Sequence, residues 1–392
     1  MKHTIPFYLL IFLMFITNSL KADELSMYNI NINDGLSHNS VLSFYQDERG
    51  WMWMGTRNGL NVYTGNDIIT YKHIKDEDTS LPNNNILQVT GDKNGHVFVR
   101  CENKKLTEYD IQRNTFKDLV DFPVNYIRYD KKLYLVNSTD IFCHENDTVQ
   151  LICRVPAYVS CLYNDNDTLY IGTDRKGIYK TFNDEILQHY KIEDSVKDIL
   201  KDHKGNIWCT SPNGGGVYQI HGDNVLHFKQ GDEYCESLSS NQTYNLLEDN
   251  ARNIWITTFN GLSKYDYGTQ RFTQYVNCFK KTGAADISTW GIAMDHQGSI
   301  WVGSYYQGAF FFNPSDQIYT KYDASLQEHE GLSASSVGRM IEDEDKNIWI
   351  CTEGGGLNKF NLRTREFTWF KHIPEKNSIS HNNVKVIYHD MG

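Results

Sequence analysis

Side chains able to grip a ligand stand at irregular points of an otherwise repetitive chain. They are Arg57 and Asn58, then Asp174, Arg175 and Lys176, then Asn213, Phe259 and Asn260, and finally Tyr305, Tyr306 and Gln307. Aromatic faces pack on sugar rings, while planar amides and guanidiniums pair with hydroxyls or hold an anionic group. The plainer reading makes them ordinary exposed loop residues, so their worth depends on whether one surface collects them.

Other combinations carry less chemistry. Gly214–Gly216 and Gly354–Gly356 lack the Lys-Ser or Lys-Thr that completes a phosphate loop, and both fall at one repeat position, which favours turn geometry. The pairs Glu248-Asp249 and Glu342-Asp343 have the makings of a general acid and base, yet they too hold a fixed place ahead of a turn. Asn164 to Asp167 offers oxygen ligands for calcium but lacks the Gly and distal Glu of an EF-hand loop, so it reads as a solvated turn. The 14 His form no His-Glu-x-x-His, and the 8 Cys form no Cys-x-x-Cys. No catalytic residue, metal or cofactor is assigned. Cys209 and Cys351 sit beside a Trp in strand-like runs and read as buried free thiols rather than disulfide partners.

The elements that position these residues come from a repeat. Its clearest copy runs from Asn245 to Tyr265 around Trp255, and close copies centre on Trp53, Trp208, Trp301 and Trp349. Weaker copies place Phe98, Tyr134 and Tyr170 where the Trp belongs, so the steps from Trp53 to Trp349 are 45, 36, 36, 38, 47, 46 and 48 residues. A period of this size marks a propeller or an array. Each copy divides into four short β-like runs, in the first copy Val41–Tyr45, Trp51–Gly55, Gly59–Tyr63 and Ile68–Tyr71, which is the content of a propeller blade. A step such as Asp202 to Asn206, with its Gly205-Asn206, supplies a tight hairpin between the first two runs. No apolar stripe of helical spacing crosses a repeat.

The fold predicted is therefore all-β: a seven-bladed β-propeller of four-stranded blades over residues 23–330, followed over 331–392 by the start of a second propeller. Leu25–Ile32 reads as an outer strand that closes the first ring, and the motif Trp series as the wedge between neighbouring blades. A ninth copy begins at Ser378 and the chain ends before its Trp, which reads as truncation and as an open blade edge available for a homodimer. With Val41–Tyr45 innermost, the loops joining the second run to the third, and each blade to the next, share one face. That face collects the ligand-binding candidates named at the outset.

Composition agrees with a packed, non-nucleic-acid-binding protein. At 392 residues the chain exceeds one ordinary core, 40% hydrophobic and 13% aromatic residues supply apolar material, and a net charge of -11 opposes general attraction to phosphates. Lys2 and His3, the apolar run Ile5–Ile16 and the polar flank to Ala22 outline a secretory signal peptide over residues 1–22, too short in its apolar part to span a bilayer.

The pattern Leu-Ser-x-Asn-x-Val, Glu-Asp-x-x-Gly-x-Ile-Trp-x-Gly-Thr and Gly-Leu-x-x-Tyr resembles the two-component regulator propeller repeat, from about Asp34 to Asp390. The copies at Tyr134 and Tyr170 depart from it, lacking the Gly-Asn turn and the Trp. The resemblance implies the periplasmic sensor of a hybrid two-component receptor of glycan-degrading gut bacteria, detecting a carbohydrate fragment or another small molecule. Histidine kinase activity would belong to downstream domains of the full-length receptor in the inner membrane, and is carried onto no residue here. Two rival classes remain: a propeller-fold glycosidase or lyase, with unlike acids converging on the central cavity, and a protein-interaction scaffold with a broad apolar patch.

Export is testable directly. N-terminal sequencing of protein from the periplasmic fraction is expected to begin near Asp23, and an intact Met1 on cytoplasmic protein would refute the leader.

Overall fold

The computed structural model describes residues 25–388 apart from positions 147, 167, 232–236, 281–286, 315–321, 326, 363 and 365. The predicted leader lies outside the described residues. Strands dominate, and the described residues contain only a 3-10 turn at Ile32–Asp34 and a short helical turn at Asn277–Lys280 as helix.

Every blade is an antiparallel sheet of four strands in sequence order. In blade 1 these are β2 (Val41–Gln46), β3 (Met52–Thr56), β4 (Gly59–Tyr63) and β5 (Ile68–Tyr71). The exception is blade 7, whose outermost strand is β1 (Tyr28–Ile30) from the start of the chain. Tyr28 pairs with Phe311 and Ile30 with Ala309 there, and the two rings of Tyr28 and Phe311 stack at 5.1 Å. The seven innermost strands pack in a closed circuit, with Thr289–Met294 of blade 7 against β2 of blade 1. The expected seven-bladed ring, and its closure by the segment upstream of the first copy, are thus what the chain forms.

One local device recurs in blades 1, 5, 6, 7 and 8. The hairpin Asp between the first two strands accepts the indole N–H of the Trp six residues on: Asp47 from Trp53 at 3.0 Å, Asp202 from Trp208 at 2.7 Å, Asp249 from Trp255 at 2.7 Å, Asp295 from Trp301 at 2.9 Å and Asp343 from Trp349 at 2.7 Å. Its other oxygen accepts the amide four residues on, for example Trp51 N–H at 3.0 Å and Asn206 N–H at 2.9 Å. The same carboxylate closes the turn and aims the ring.

The aimed ring then wedges against the next blade. Trp53 meets Tyr109 of blade 2 at 5.2 Å, Trp208 meets Tyr265 of blade 6 at 5.1 Å, Trp255 meets Phe312 of blade 7 at 5.3 Å, and Trp301 meets Tyr63 of blade 1 at 5.8 Å. Trp53, Trp208 and Trp255 are fully buried. Phe98, Tyr134 and Tyr170 occupy the corresponding places in blades 2, 3 and 4 and are buried as well. Blades 3 and 4 use shorter hairpins that turn through a left-handed Lys131 and Asn166, which shortens their repeats.

Gly216 shows why the glycine-rich stretches are structural. Its φ is +78°, and a Cβ there would fall 2.3 Å from the carbonyl oxygen of Phe228 on the neighbouring strand. All cysteines among the described residues are free thiols, and six of them are buried. Asn164 is likewise structural, donating to Asp130 at 3.1 Å, while Asp165 pairs with Lys201.

The chain divides into two compact units, Met1–Asp316 and Gln317–Gly392. The second holds one four-stranded blade, Val337–Glu342, Asn347–Thr352, Gly356–Asn361 and Phe367–Phe370, over a small core of Leu332, Ile350, Phe360 and Phe367.

The Asp-to-indole bond and the ring's burial can be separated by substitution. Trp255→Phe keeps most of the ring but strips Asp249 of a donor, and is expected to cost about 2 kcal/mol. Trp255→Ala empties the wedge and should cost about 3–5 kcal/mol. Denaturant melts of both variants check this order.

Candidate functional site

The chain reverses at the hairpin Asp on one face of the ring. The turns joining second to third strands, and the links between blades, therefore lie on the opposite face. At that end the innermost strands are bulged: register slips between Val41 and Ser43, Ile86 and Gln88, Val159 and Cys161, Thr243 and Leu246, and Thr289 and Ile292. A bulge releases a residue from the ladder and re-aims its side chain, here Leu42, Leu87, Ser160, Tyr244 and Trp290 at the inner rim. Buried hydroxyls hold the rim, Thr243 donating to Gly216 O at 2.6 Å and Thr289 to Gly261 O at 2.8 Å.

Some of the expected ligand contacts meet here. Arg57 lies over the ring of Tyr305 at 4.3 Å, and Tyr305 meets Tyr306 edge-on at 4.7 Å. The Ser40 hydroxyl binds the Tyr305 carbonyl, so the blade 7 turn is tied to blade 1. A second group joins blades 4 and 5: Asp174 accepts from the Ser195 hydroxyl, Asn213 donates to the same oxygen at 3.2 Å, and Arg175 stands 3.9 Å from Asp174. Lys176 and Phe259 are exposed nearby on their own turns.

Others are occupied by the fold. Asn58 donates to Ser37 O at 3.5 Å and Asn260 to Ser239 O at 3.2 Å, the same bond in two blades, and each backbone N–H is capped by the preceding Thr hydroxyl. Gln307 is buried, its N–H bonded to Ser304 Oγ at 2.6 Å and its carbonyl to Asn29 at 2.8 Å.

The structure adds residues that the sequence reading passed over. Tyr244 and Trp290 stack at 4.5 Å with 13° between planes, and Trp290 meets Tyr305 at 5.7 Å. A continuous aromatic row thus runs Tyr244, Trp290, Tyr305, Tyr306 across blades 6 and 7, capped by Arg57 from blade 1. His38 borders it, its Nδ1 accepting Ser40 N–H at 2.9 Å. Burial lowers the His38 pKa, and the positive charge of Arg57 lowers it further. The signal for these residues was position: the second place of the innermost strand holds Leu42 in blade 1 but Tyr244 and Trp290 in blades 6 and 7.

A second cluster occupies the inner wall of blades 2 to 5. It brings together Arg100, Arg128 and Lys197 with Tyr126 and the carboxylate of Asp198. Away from both, a groove of about 1140 Å³ follows blades 1 and 2 and is lined by residues such as His73, Glu77, Asp78, Glu108 and Lys105, none of them among the expected contacts.

Residues 35–58 and 331–354 match the two component regulator propeller family. A histidine kinase from Formosa agariphila is 36% identical over 69 residues, which is 17% of this chain and 5% of that protein. Among solved structures, one described as the extracellular domain of a hybrid two component system from B. thetaiotaomicron aligns over 94% of this chain and 57% of its own, with a TM-score of 0.63 and 20% identity. Virginiamycin B lyase from Staphylococcus aureus aligns over 74% of this chain and 99% of its own, with a TM-score of 0.59 and 14% identity. At these identities both structures show the propeller fold alone. The chain spans little more than half of the hybrid-system domain and a small fraction of the kinase.

The link between Arg57 and His38 gives a titration test. Removing a positive neighbour favours the imidazolium, so Arg57→Ala should move the His38 titration upward toward its ordinary value of 6.5, read by NMR of the His38 ring protons.

Proposed function

We propose that this chain, whose repeats are those of the two-component regulator propeller, is the ligand-sensing part of an extracytoplasmic receptor that detects a saccharide. The observation that carries the reading is the aromatic row of Tyr244, Trp290, Tyr305 and Tyr306 with Arg57 at its end. Trp290, Tyr305 and exposed Tyr306, with buried Tyr244 stacked behind Trp290, offer apolar faces to the C–H side of a pyranose, and Arg57 can pair with its hydroxyls.

The chemistry suits recognition without turnover. A receptor gains by holding its ligand long enough to shift a conformational equilibrium, which requires only different affinity for two states. Blades 6, 7 and 1 supply the row together, and Ser40 bridges two of them, so a ligand lying across the row would bear on the seam where the ring is closed. The periplasmic location and the coupling to a kinase in the full-length protein belong to this proposal, as does the saccharide itself. The likeness to a lyase is one of fold and brings no catalytic residue with it.

The experiment is a calorimetric screen of neutral and acidic oligosaccharides against the purified chain, repeated with Trp290→Ala. The expected result is saturable binding by at least one saccharide, weakened about tenfold or more in the variant, with an unchanged melting temperature. Absence of binding across the panel, or equal binding by the variant, would overturn the reading.

A further inference from the structure

The inner wall of blades 2 to 5 carries charges that the fold does not use up. Arg100 is held by one bond, its Nε donating to Gln88 Oε1 at 2.8 Å. Gln88 is itself anchored to the next blade, its Oε1 accepting Ile127 N–H at 3.1 Å and its amide donating to Ile127 O at 3.3 Å. The guanidinium of Arg100 is thereby oriented with its terminal nitrogens unspent among the described residues. Arg128 lies over the Tyr163 ring at 5.0 Å and bonds the Tyr126 hydroxyl, but its Nε is buried with no acceptor. Lys197 fixes its backbone to Thr210 O at 2.9 Å, while its ammonium feels Asp198 as a nearby charge without a hydrogen bond to it among the described residues.

Among the described residues one acid, Asp198, answers Arg128 and Lys197, and it is already engaged. Asp198 accepts Ile199 N–H at 2.9 Å on one oxygen and Leu246 N–H at 2.9 Å on the other. Burial pushes the Asp198 carboxyl up, against the pull of Arg128. Burial lowers Arg100 to about 10 and also lowers Lys197, whose ammonium feels the nearby charge of Arg100. A chain of net charge -11 thus gathers Arg100 and Lys197 where they repel each other and lose water, while Tyr126 and Asp198 hold Arg128 charged against its burial. Such an arrangement is costly unless an anion joins it.

We propose that Arg100, Lys197 and the buried edge of Arg128 form an anion subsite, so that the ligand is an acidic saccharide bearing a carboxylate or a sulfate ester. The inference rests on the sensor reading above and adds to it the ligand's charge and the residues that select for it. Exposed Tyr158, on the link into blade 4, stands beside Arg100 and offers a further ring face at the same mouth. Arg supplies paired donors to a planar carboxylate, and Lys a point charge suited to either anion. Neutral saccharides would leave these donors unpaired and bind worse.

The test uses calorimetry on the purified chain with trigalacturonate, a sulfated chondroitin disaccharide, cellotriose and inorganic sulfate. The expected result is binding of trigalacturonate or the sulfated disaccharide, weakening with added salt, and a loss of about tenfold or more in Lys197→Met and Arg100→Gln. Lys197→Arg keeps the charge and should restore most of the affinity, which guards against variants that merely misfold. Preference between carboxylate and sulfate is read from the two acidic probes. If cellotriose binds as well as the acids, or Lys197→Met binds them unchanged at wild-type stability, the anion subsite is refuted while the sensor reading stands. If sulfate alone binds and depends on Lys197, the subsite stands and the saccharide reading falls. Silence from all four probes overturns the subsite.

Discussion

A single hydrogen bond, from an indole N–H to the carboxylate of the hairpin Asp six residues earlier, organises the ring. The carboxylate is buried in Asp47 and Asp249 and therefore needs several donors. It finds them in the turn amides and in the ring that must itself be buried in the next wedge. Turn closure and interblade packing are satisfied by one side chain, so neither can slip without the other. In blade 5 a third partner joins, the Tyr267 hydroxyl, and these hydrogen bonds overcome burial to hold Asp202 below the ordinary carboxylate range.

Where Phe98, Tyr134 and Tyr170 stand in for the Trp, polar bonds also join the blades. Gln88 reaches Ile127 between blades 2 and 3, Asn164 reaches Asp130 between blades 3 and 4, and Lys201 pairs with Asp165 between blades 4 and 5. These are also the blades whose inner wall carries the excess positive charge. The side of the ring without the Trp wedge thus holds the clustered cations Arg100 and Arg128, while the side with Trp255 and Trp301 presents the aromatic row. The mouth is chemically two-sided because the repeats around it are of two kinds.

The blade was legible because its determinants are local: Asp, Gly, Asn and Trp at fixed offsets specify a hairpin and a ring direction within a dozen residues. Closure by β1 was legible from the surplus strand upstream of the first copy. The site was only partly so. Asn58 and Asn260 looked like variable loop amides, yet both make the same bond to a Ser carbonyl some twenty residues back, which a single pass along the chain does not reveal. Tyr244 and Trp290 lie inside strands rather than in the turns that held the candidates, and it is the bulge, a property of pairing with the next strand, that sets them at the rim. Arg100, Arg128 and Lys197 are far apart in sequence, and nothing but ring closure makes them neighbours.

Blade 8 separates what the repeat encodes from what the ring adds. Asp343 accepts from Trp349 and from Asn347 as its counterparts do, and the bond from the Asn347 side chain leads in lowering its pKa to about 2. The clasp is complete, and the ring stacks on Phe370 of its own blade at 5.3 Å. Yet Trp349 is only half-buried, where Trp208 and Trp255 are wholly so, and most of the strand Val337–Glu342 is exposed. The local sequence therefore fixes the direction of the Trp but not its burial. Burial needs an aromatic from a following blade, as Tyr265 serves Trp208 and Phe312 serves Trp255. A propeller Trp is a half-made contact whose stabilising value is realised by its neighbour, which is why blades of this kind gain stability by being joined in a ring.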